Sequence, residues 1–296
     1  MKTIQQISRQ RLFLPATMLC LLFASCSKDK SAGINPAGPA GKSSVNIYLT
    51  DDQSLVFDQV NLDIRKLEIK VEDSSELKHE SEHQGDVDDK DSRGDVSGGW
   101  VAVNINPGVY NILKYRNGLD TLFATSTFPT TRSLKKVRLT LGTNNTAVLN
   151  GISSPLVLKG NDNMVVIKID ESMVKVNSGG LTNFWMDVDA GRSIKKQGNG
   201  FELKPSVKVF SKEKMAGIEG RVLPRDASAI VMAINGTDTS SAKPEIEGEF
   251  KFIGLKPGTY SLLYHATANN YKDTTISNVR VNGTEDTKLN PVTLHK

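Results

Sequence analysis

The chain is poor in cysteine and histidine: 2 and 4 residues among 296. Cys20 lies inside an N-terminal apolar run, which leaves Cys26 as the one thiol beyond it. That excludes an internal disulfide and a cysteine metal site in the remainder. Charge of either sign is also scarce in net terms. The formal charge is +4, and Lys2, Arg9 and Arg11 supply three of those charges, leaving +1. A nucleic-acid partner, which needs a strong basic footprint, is therefore not expected. No apolar run after Phe23 approaches the roughly 20 residues of a membrane helix. A phosphate loop, a G-x-S-x-G elbow and a nucleophile–base pairing are all missing, as is any long segment of 3.6-residue period.

What is present begins with a leader. Lys2, Arg9 and Arg11 precede a mostly apolar run from Leu12 to Phe23, the pattern of a signal peptide. The run ends in Leu22-Phe23-Ala24-Ser25-Cys26. Small residues before a cysteine admit a peptidase, and the thiol can take a diacylglycerol. The stretch resembles a bacterial lipobox, with Phe23 where Leu is usual. Residues 1–25 are thus expected to be a lipoprotein signal peptide, with lipid on Cys26 holding the chain to a membrane. The location this implies is a bacterial cell envelope. Residues 26–43 are rich in Gly, Pro, Ala, Ser and Lys and bury too little to fold, so they read as a lipidated tether.

From Ser44 the hydrophobic period becomes two. Val45, Ile47 and Leu49 alternate with polar residues, as do Val60, Leu62 and Ile64, then Leu67, Ile69 and Val71. The phase shift between Ile64 and Leu67 predicts a β-bulge at Arg65-Lys66. Further alternations run through Val101–Ile105, Val137–Leu141, Val165–Ile169, Phe184–Val188 and Val207–Val209. A fresh set starts at Gly217 and continues through Ile230–Ile234, Phe250–Ile253, Tyr260–His265 and Val279–Val281. Short strands separated by Gly, Asn and Pro predict an all-β chain of two β-sandwich domains, 44–212 and 215–296. One echo links them: Asn106-Pro107-Gly108-Val109-Tyr110 and Lys256-Pro257-Gly258-Thr259-Tyr260. Each reads as a Pro-Gly turn that delivers a tyrosine into the next strand.

The candidate chemistry lies mostly in the acidic loop 72–99, which holds ten acidic and three basic residues. His79-Glu80-Ser81-Glu82-His83 matches H-E-x-x-H, where two imidazoles on one helix face hold zinc and the glutamate activates water. His79 and His83 are the candidate metal ligands. Their neighbours are Ser, Glu, Lys, Gln, Gly and Asp, which give such a helix no apolar face to pack. Asp86, Asp88, Asp89 and Asp91 fail the EF-hand spacing because Lys90 replaces a ligand. Arg93-Gly94-Asp95 spells an adhesion tripeptide too short to be specific. Asp187 and Asp189 leave one face of a strand and are expected to cap turns or pair with Lys and Arg. Trp100 and Trp185 are expected in the first core and Tyr260 in the second; Tyr115 and Tyr271 are further aromatics able to stack on sugars.

Two resemblances follow from these residues. Tyr48-Leu49-Thr50-Asp51-Asp52, Phe57–Ile64, Gly99-Trp100, Pro107–Tyr110, Leu139–Asn145, Asp187–Ala190 and Leu203-Lys204-Pro205 occur in an order that resembles the domain-of-unknown-function 4382 family. That resemblance covers about Ser44 to Phe210 and implies a lipoprotein of a Gram-negative bacterium, expected in the outer membrane, from a family whose biochemical role is not established. Residues 215–296 resemble a carboxypeptidase regulatory-like domain, through Gly220-Arg221-Val222, Gly248-Glu249-Phe250 and Leu255–Tyr260. That resemblance implies a transthyretin-like sandwich of the carbohydrate-binding-like folds, at the level of fold alone. The reading that results is a non-enzymatic envelope lipoprotein without a cofactor. It binds a membrane through Cys26 and displays a module for a glycan, a protein or another envelope component. The alternative is a zinc-dependent hydrolase using His79, Glu80 and His83.

Overall fold

The computed structural model describes residues 41–51, 57–73, 99–161 and 163–296. In chain order the strands are β1 Lys42–Thr50, β2 Gln59–Asp73, β3 Trp100–Val103, β4 Gly108–Asn111, β5 Thr121–Pro129, β6 Arg132–Leu141 and β7 Thr146–Leu149. Then come β8 Ile152–Leu158, β9 Met164–Lys168, β10 Leu181–Val188, β11 Ile194–Gln197, β12 Gly200–Leu203 and β13 Val207–Phe210. The remainder are β14 Ala216–Leu223, β15 Ile230–Asn235, β16 Asp238–Ala242, β17 Glu249–Leu255, β18 Gly258–His265, β19 Thr274–Val281, β20 Thr287–Lys288 and β21 Val292–Thr293. One helical turn, α1 Ala190–Ser193, follows β10. The chain is all-β, as its period-two alternation predicts.

Val45, Ile47 and Leu49 are fully buried, so β1 turns one face inward. β1 sits inside a four-stranded sheet of order β13-β10-β1-β5 and runs parallel to β10. A parallel pair needs a long crossover. Here the chain between them builds most of a second, nine-stranded sheet. Its spine is β2, which pairs with β3, β4, β6 and β7. The predicted bulge is present: Ile64 opposes Leu141, Lys66 opposes Thr140, and Arg65 is the extra residue. It lets Ile64 and Leu67 both face inward while Arg65 and Lys66 face solvent. Val45 and Ile47 from one sheet and Leu62, Ile69, Val137 and Leu139 from the other share one apolar core.

The last 81 residues, 216–296, form two further sheets, β17-β14-β20 with β21 beside β14, and β16-β15-β18-β19. Their inward residues, among them Ile218, Val231, Phe250, Leu262 and Tyr264, make a separate core. The Pro-Gly-x-Tyr echo has a common geometry. The Tyr110 hydroxyl donates to the Asn106 carbonyl, and the Tyr260 hydroxyl donates to the Lys256 carbonyl at 2.9 Å. In each copy the tyrosine ties down the turn that launches its own strand.

Tyr264 departs from this economy. Its ring packs edge-on against Phe250, and its hydroxyl is buried with no hydrogen-bond partner among the described residues. Desolvation alone pushes its pKa up to about 12. A buried unsatisfied hydroxyl is a net cost. Tyr264→Phe is therefore expected to raise stability by about 1 kcal/mol, read as a higher urea midpoint at unchanged m-value. A loss of stability in this variant would show that the hydroxyl is satisfied in solution.

Candidate functional site

Four of the ordered motifs in the first half meet, two by two, around buried carboxylates. Asp63, on β2, is completely buried. Its Oδ2 accepts from the Asn144 amide at 3.1 Å, and its Oδ1 lies 2.7 Å from Arg65 Nε. Its own amide donates to Asn145 Oδ1 at 2.8 Å, and its carbonyl accepts from the Gly142 amide at 2.7 Å. The Asn145 side chain closes the knot by donating to the Gly142 carbonyl at 2.7 Å. Gly142 is required because a Cβ there would lie 2.2 Å from Asp63 Oδ2. The Leu139–Asn145 motif and the Phe57–Ile64 motif are thus two halves of one structural knot.

A second knot lies where β1 and β10 end. The Thr50 hydroxyl points at the carbonyls of Tyr115 and Leu119, 3.0 Å from each. Asp51 Oδ1 accepts from the Ala190 amide at 3.4 Å. Asp189 caps α1 by accepting from the Arg192 amide at 2.8 Å and lies 3.3 Å from its guanidinium. Burial raises the Asp189 carboxyl above its usual value, opposed by Arg192 and reinforced by the charge on Asp187. Asp187, 1% exposed, lies 3.0 Å from the ammonium of Lys208, its cross-strand partner on β13. The expected roles for this pair of acids, a cap and an ion pair, are the observed ones.

The outer face of the first sheet carries an aromatic stack. Tyr48 stacks on Trp185 at 4.7 Å, and Trp185 stacks on Phe210 at 6.1 Å. Trp185 Nε1 donates to Asp120 at 2.7 Å, and Lys212 sits 4.4 Å above the indole. Met215, Met173 and Ile253 complete this third apolar cluster. Phe210 presses on Gly254, where a Cβ would lie 2.6 Å from the ring. The cluster therefore joins the two pairs of sheets. At its rim Asn117 donates to Glu245 at 2.6 Å and to the Lys243 carbonyl at 3.1 Å. Beside the joint lies a cleft of about 250 Å³ bordered by Asp189, Lys208, Asn235, Asp238, Leu255 and Tyr260.

The two tryptophans are not where the composition argument puts them. Trp185 belongs to the joint and not to the first core. Trp100 lies half-buried on the outer face of the larger sheet, with the Arg138 guanidinium 4.2 Å over its ring. Arg138 also holds Glu68 at 2.7 Å. Burial opposes ionisation of Glu68, but hydrogen bonds from Arg138 and Lys66 outweigh it and keep its carboxyl below the usual value. Tyr260 is in the second core as expected, and Tyr115 packs against the first. Tyr271 is partly exposed, and its hydroxyl donates to Asp226 at 3.1 Å. Cys26, His79, Glu80, His83, Asp86, Asp88, Asp89, Asp91 and Arg93-Gly94-Asp95 all lie outside the described residues. The joint was missed although a signal existed. Tyr48, Trp185 and Phe210 occupy outward positions of their alternations, where a solvated strand carries polar residues.

These features define a β-sandwich module in which ordered motif residues do structural work. The sequence matches the family model described as a domain of unknown function (DUF4382) over residues 42–205. The chain belongs to that family. No curated protein matches the sequence. Among solved structures, a type II cohesin–X-dockerin complex from Acetivibrio cellulolyticus is 24% identical over 27% of this chain and 56% of that chain, with a TM-score of 0.22. This chain thus spans about half the length of that one. The Bacillus anthracis TIE protein is 12% identical over 86% of this chain and 34% of its own, with a TM-score of 0.20. The shaft pilin SpaA from Lactobacillus rhamnosus GG is 9% identical over 85% and 98% of the two chains, with a TM-score of 0.20. Scores this low transfer neither a fold nor a role.

Proposed function

We propose that this protein is a non-enzymatic binding and display module of the bacterial cell envelope, anchored by lipid on Cys26 in the outer membrane. The observation that carries the reading is the use made of the buried acids. Asp63, Asp187 and Asp189 hold a turn, a cross-strand lysine and a helix cap, so each carboxylate maintains the scaffold. The leader, the Leu22–Cys26 segment and the polar stretch after it support export and anchoring. Residues 44–212 and 215–296 are two domains in this reading. The second is a carboxypeptidase regulatory-like sandwich, supported by its own core and its own Pro-Gly-x-Tyr turn.

The anchor is tested directly. Cys26→Ala is expected to abolish palmitate labelling and to move the protein out of the membrane fraction. Several acyl chains hold firmly where one holds weakly, so the shift in partition is large. Labelling and membrane partition that survive the substitution would refute the lipid anchor.

A further inference from the structure

The cleft beside the joint is built by both pairs of sheets. Asp189 and Lys208 stand on one wall, and Asn235, Asp238 and Tyr260 on the other. The walls are held in place by the aromatic joint, and Met173 belongs to both the joint and the cleft lining. The charges at this site balance within the protein. Lys208 is paired with Asp187 at 3.0 Å, and Arg192 with Asp189 at 3.3 Å. Lys256 and Asp238 stand at the exposed mouth with opposite signs. A charged ligand on the Asp189–Lys208 wall would have to compete with an existing ion pair for its counter-charge, and at the exposed mouth it would meet one charge of each sign, screened by water.

What the cleft offers beyond these pairs is neutral. Ser206 and Thr239 bring hydroxyls and Asn235 an amide, each able both to donate and to accept. Leu255, Ala233 and Val207 bring apolar surface between them. Interleaved neutral hydrogen-bonding groups and small apolar patches match a ligand with many hydroxyls on a compact C–H framework. The volume, about 250 Å³, is just under the usual range for small-ligand pockets and suits one ring rather than a long segment. The second sandwich also carries a larger groove of about 570 Å³ with Ser228 and Thr267 in its lining, but the Thr267 hydroxyl already donates to the Ser228 carbonyl at 2.7 Å and the groove is bordered by one pair of sheets alone.

We propose that the cleft between the two pairs of sheets binds a single uncharged sugar unit of a glycan. The proposal rests on the binding-module reading and supplies its ligand class. The Asp189–Arg192 pair would address neighbouring hydroxyls from one wall, the Asn235 amide from the other.

The test uses the full chain purified in a polyoxyethylene detergent, which carries no sugar. Calorimetric titrations are run with the tetramers of β-1,4-glucose, β-1,4-N-acetylglucosamine and α-1,4-glucose, and with the galacturonate tetramer as the anionic arm. At least one neutral tetramer is expected to bind. Thr239→Trp, which fills the mouth from an exposed position, and Asn235→Asp, which upsets the charge balance, are each expected to weaken it at least about tenfold. Thr239→Trp should keep the parent melting temperature; the Asn235 side chain also bonds the Tyr260 hydroxyl, so Asn235→Asp is titrated well below its own melting transition. Binding that neither variant changes would place the sugar elsewhere, overturning the cleft while leaving the binding-module reading intact. Silence from every neutral tetramer, or tighter binding of galacturonate, would overturn the sugar assignment itself. The Cys26→Ala result is independent of all these outcomes, so failure of the anchor and failure of the cleft are distinguishable.

Discussion

Gly142→Ala is expected to destabilise the first sandwich by about 3 to 5 kcal/mol, among the larger effects available to one methyl group. The added Cβ would lie 2.2 Å from Asp63 Oδ2 and 2.7 Å from Arg65 Nε. Arg65 is half-exposed and can move, but Asp63 cannot. Its amide, its carbonyl and its carboxylate are all tied to the Gly142–Asn145 turn. Relief therefore requires the turn to leave the strand, which strands a buried carboxylate and the donors that face it. Urea denaturation reads the loss. The mechanism makes a sharper demand through a double-mutant cycle with Asp63→Ala. Removing the carboxylate removes the crowding, so the double variant should be no less stable than Asp63→Ala alone, within about 0.5 kcal/mol. Additive losses would mean that Gly142 is needed for a reason other than Asp63.

Phe210→Ala is expected to act on the joint. Phe210 is fully buried, stacks at 6.1 Å on Trp185 and fills the space over Gly254. Large aromatic truncations of this kind cost about 3 to 5 kcal/mol. The loss should be distributed unusually, because Phe210 belongs to neither sandwich core but to the cluster between them. Calorimetry of the variant is expected to show two separate unfolding transitions where the parent shows one. The two transitions would correspond to residues 44–212 and 215–296. One cooperative transition lowered as a whole would instead show that the two pairs of sheets fold as a single unit, against the two-domain proposal. Met173 lines both the joint and the cleft, so the variant should also bind the sugar tetramer more weakly.

Much of the fold is legible residue by residue. Val45, Ile47 and Leu49 alternate because β1 has one wet and one dry face, and the phase slip at Arg65-Lys66 is the bulge itself. The Pro-Gly-x-Tyr echo marks two turns closed by the same hydroxyl-to-carbonyl bond. Strand β5 shows where this reading stops. Its inward positions carry Ala124 as well as Phe128, while Leu122 points outward and is 52% exposed. The register with β1 shifts between Ala124 and Leu122, so the alternation that betrays a strand changes phase within β5. Neighbouring β1 holds it in place through backbone pairing instead.

The sequence by itself determined the all-β character, the bulge and the approximate span of most strands. These follow from period-two burial, which is a local property of the chain. The motifs themselves were also readable, but their purpose was not. Only the tertiary structure decided that Asp63 grips Gly142 and Asn144, that Asp187 faces Lys208, and that Tyr48, Trp185 and Phe210 form a joint with Gly254 in place of a bare outer face. Each of those contacts joins residues far apart in the chain. Their meeting depends on strand order and register, and those are set by which faces can be buried together once the whole chain has folded.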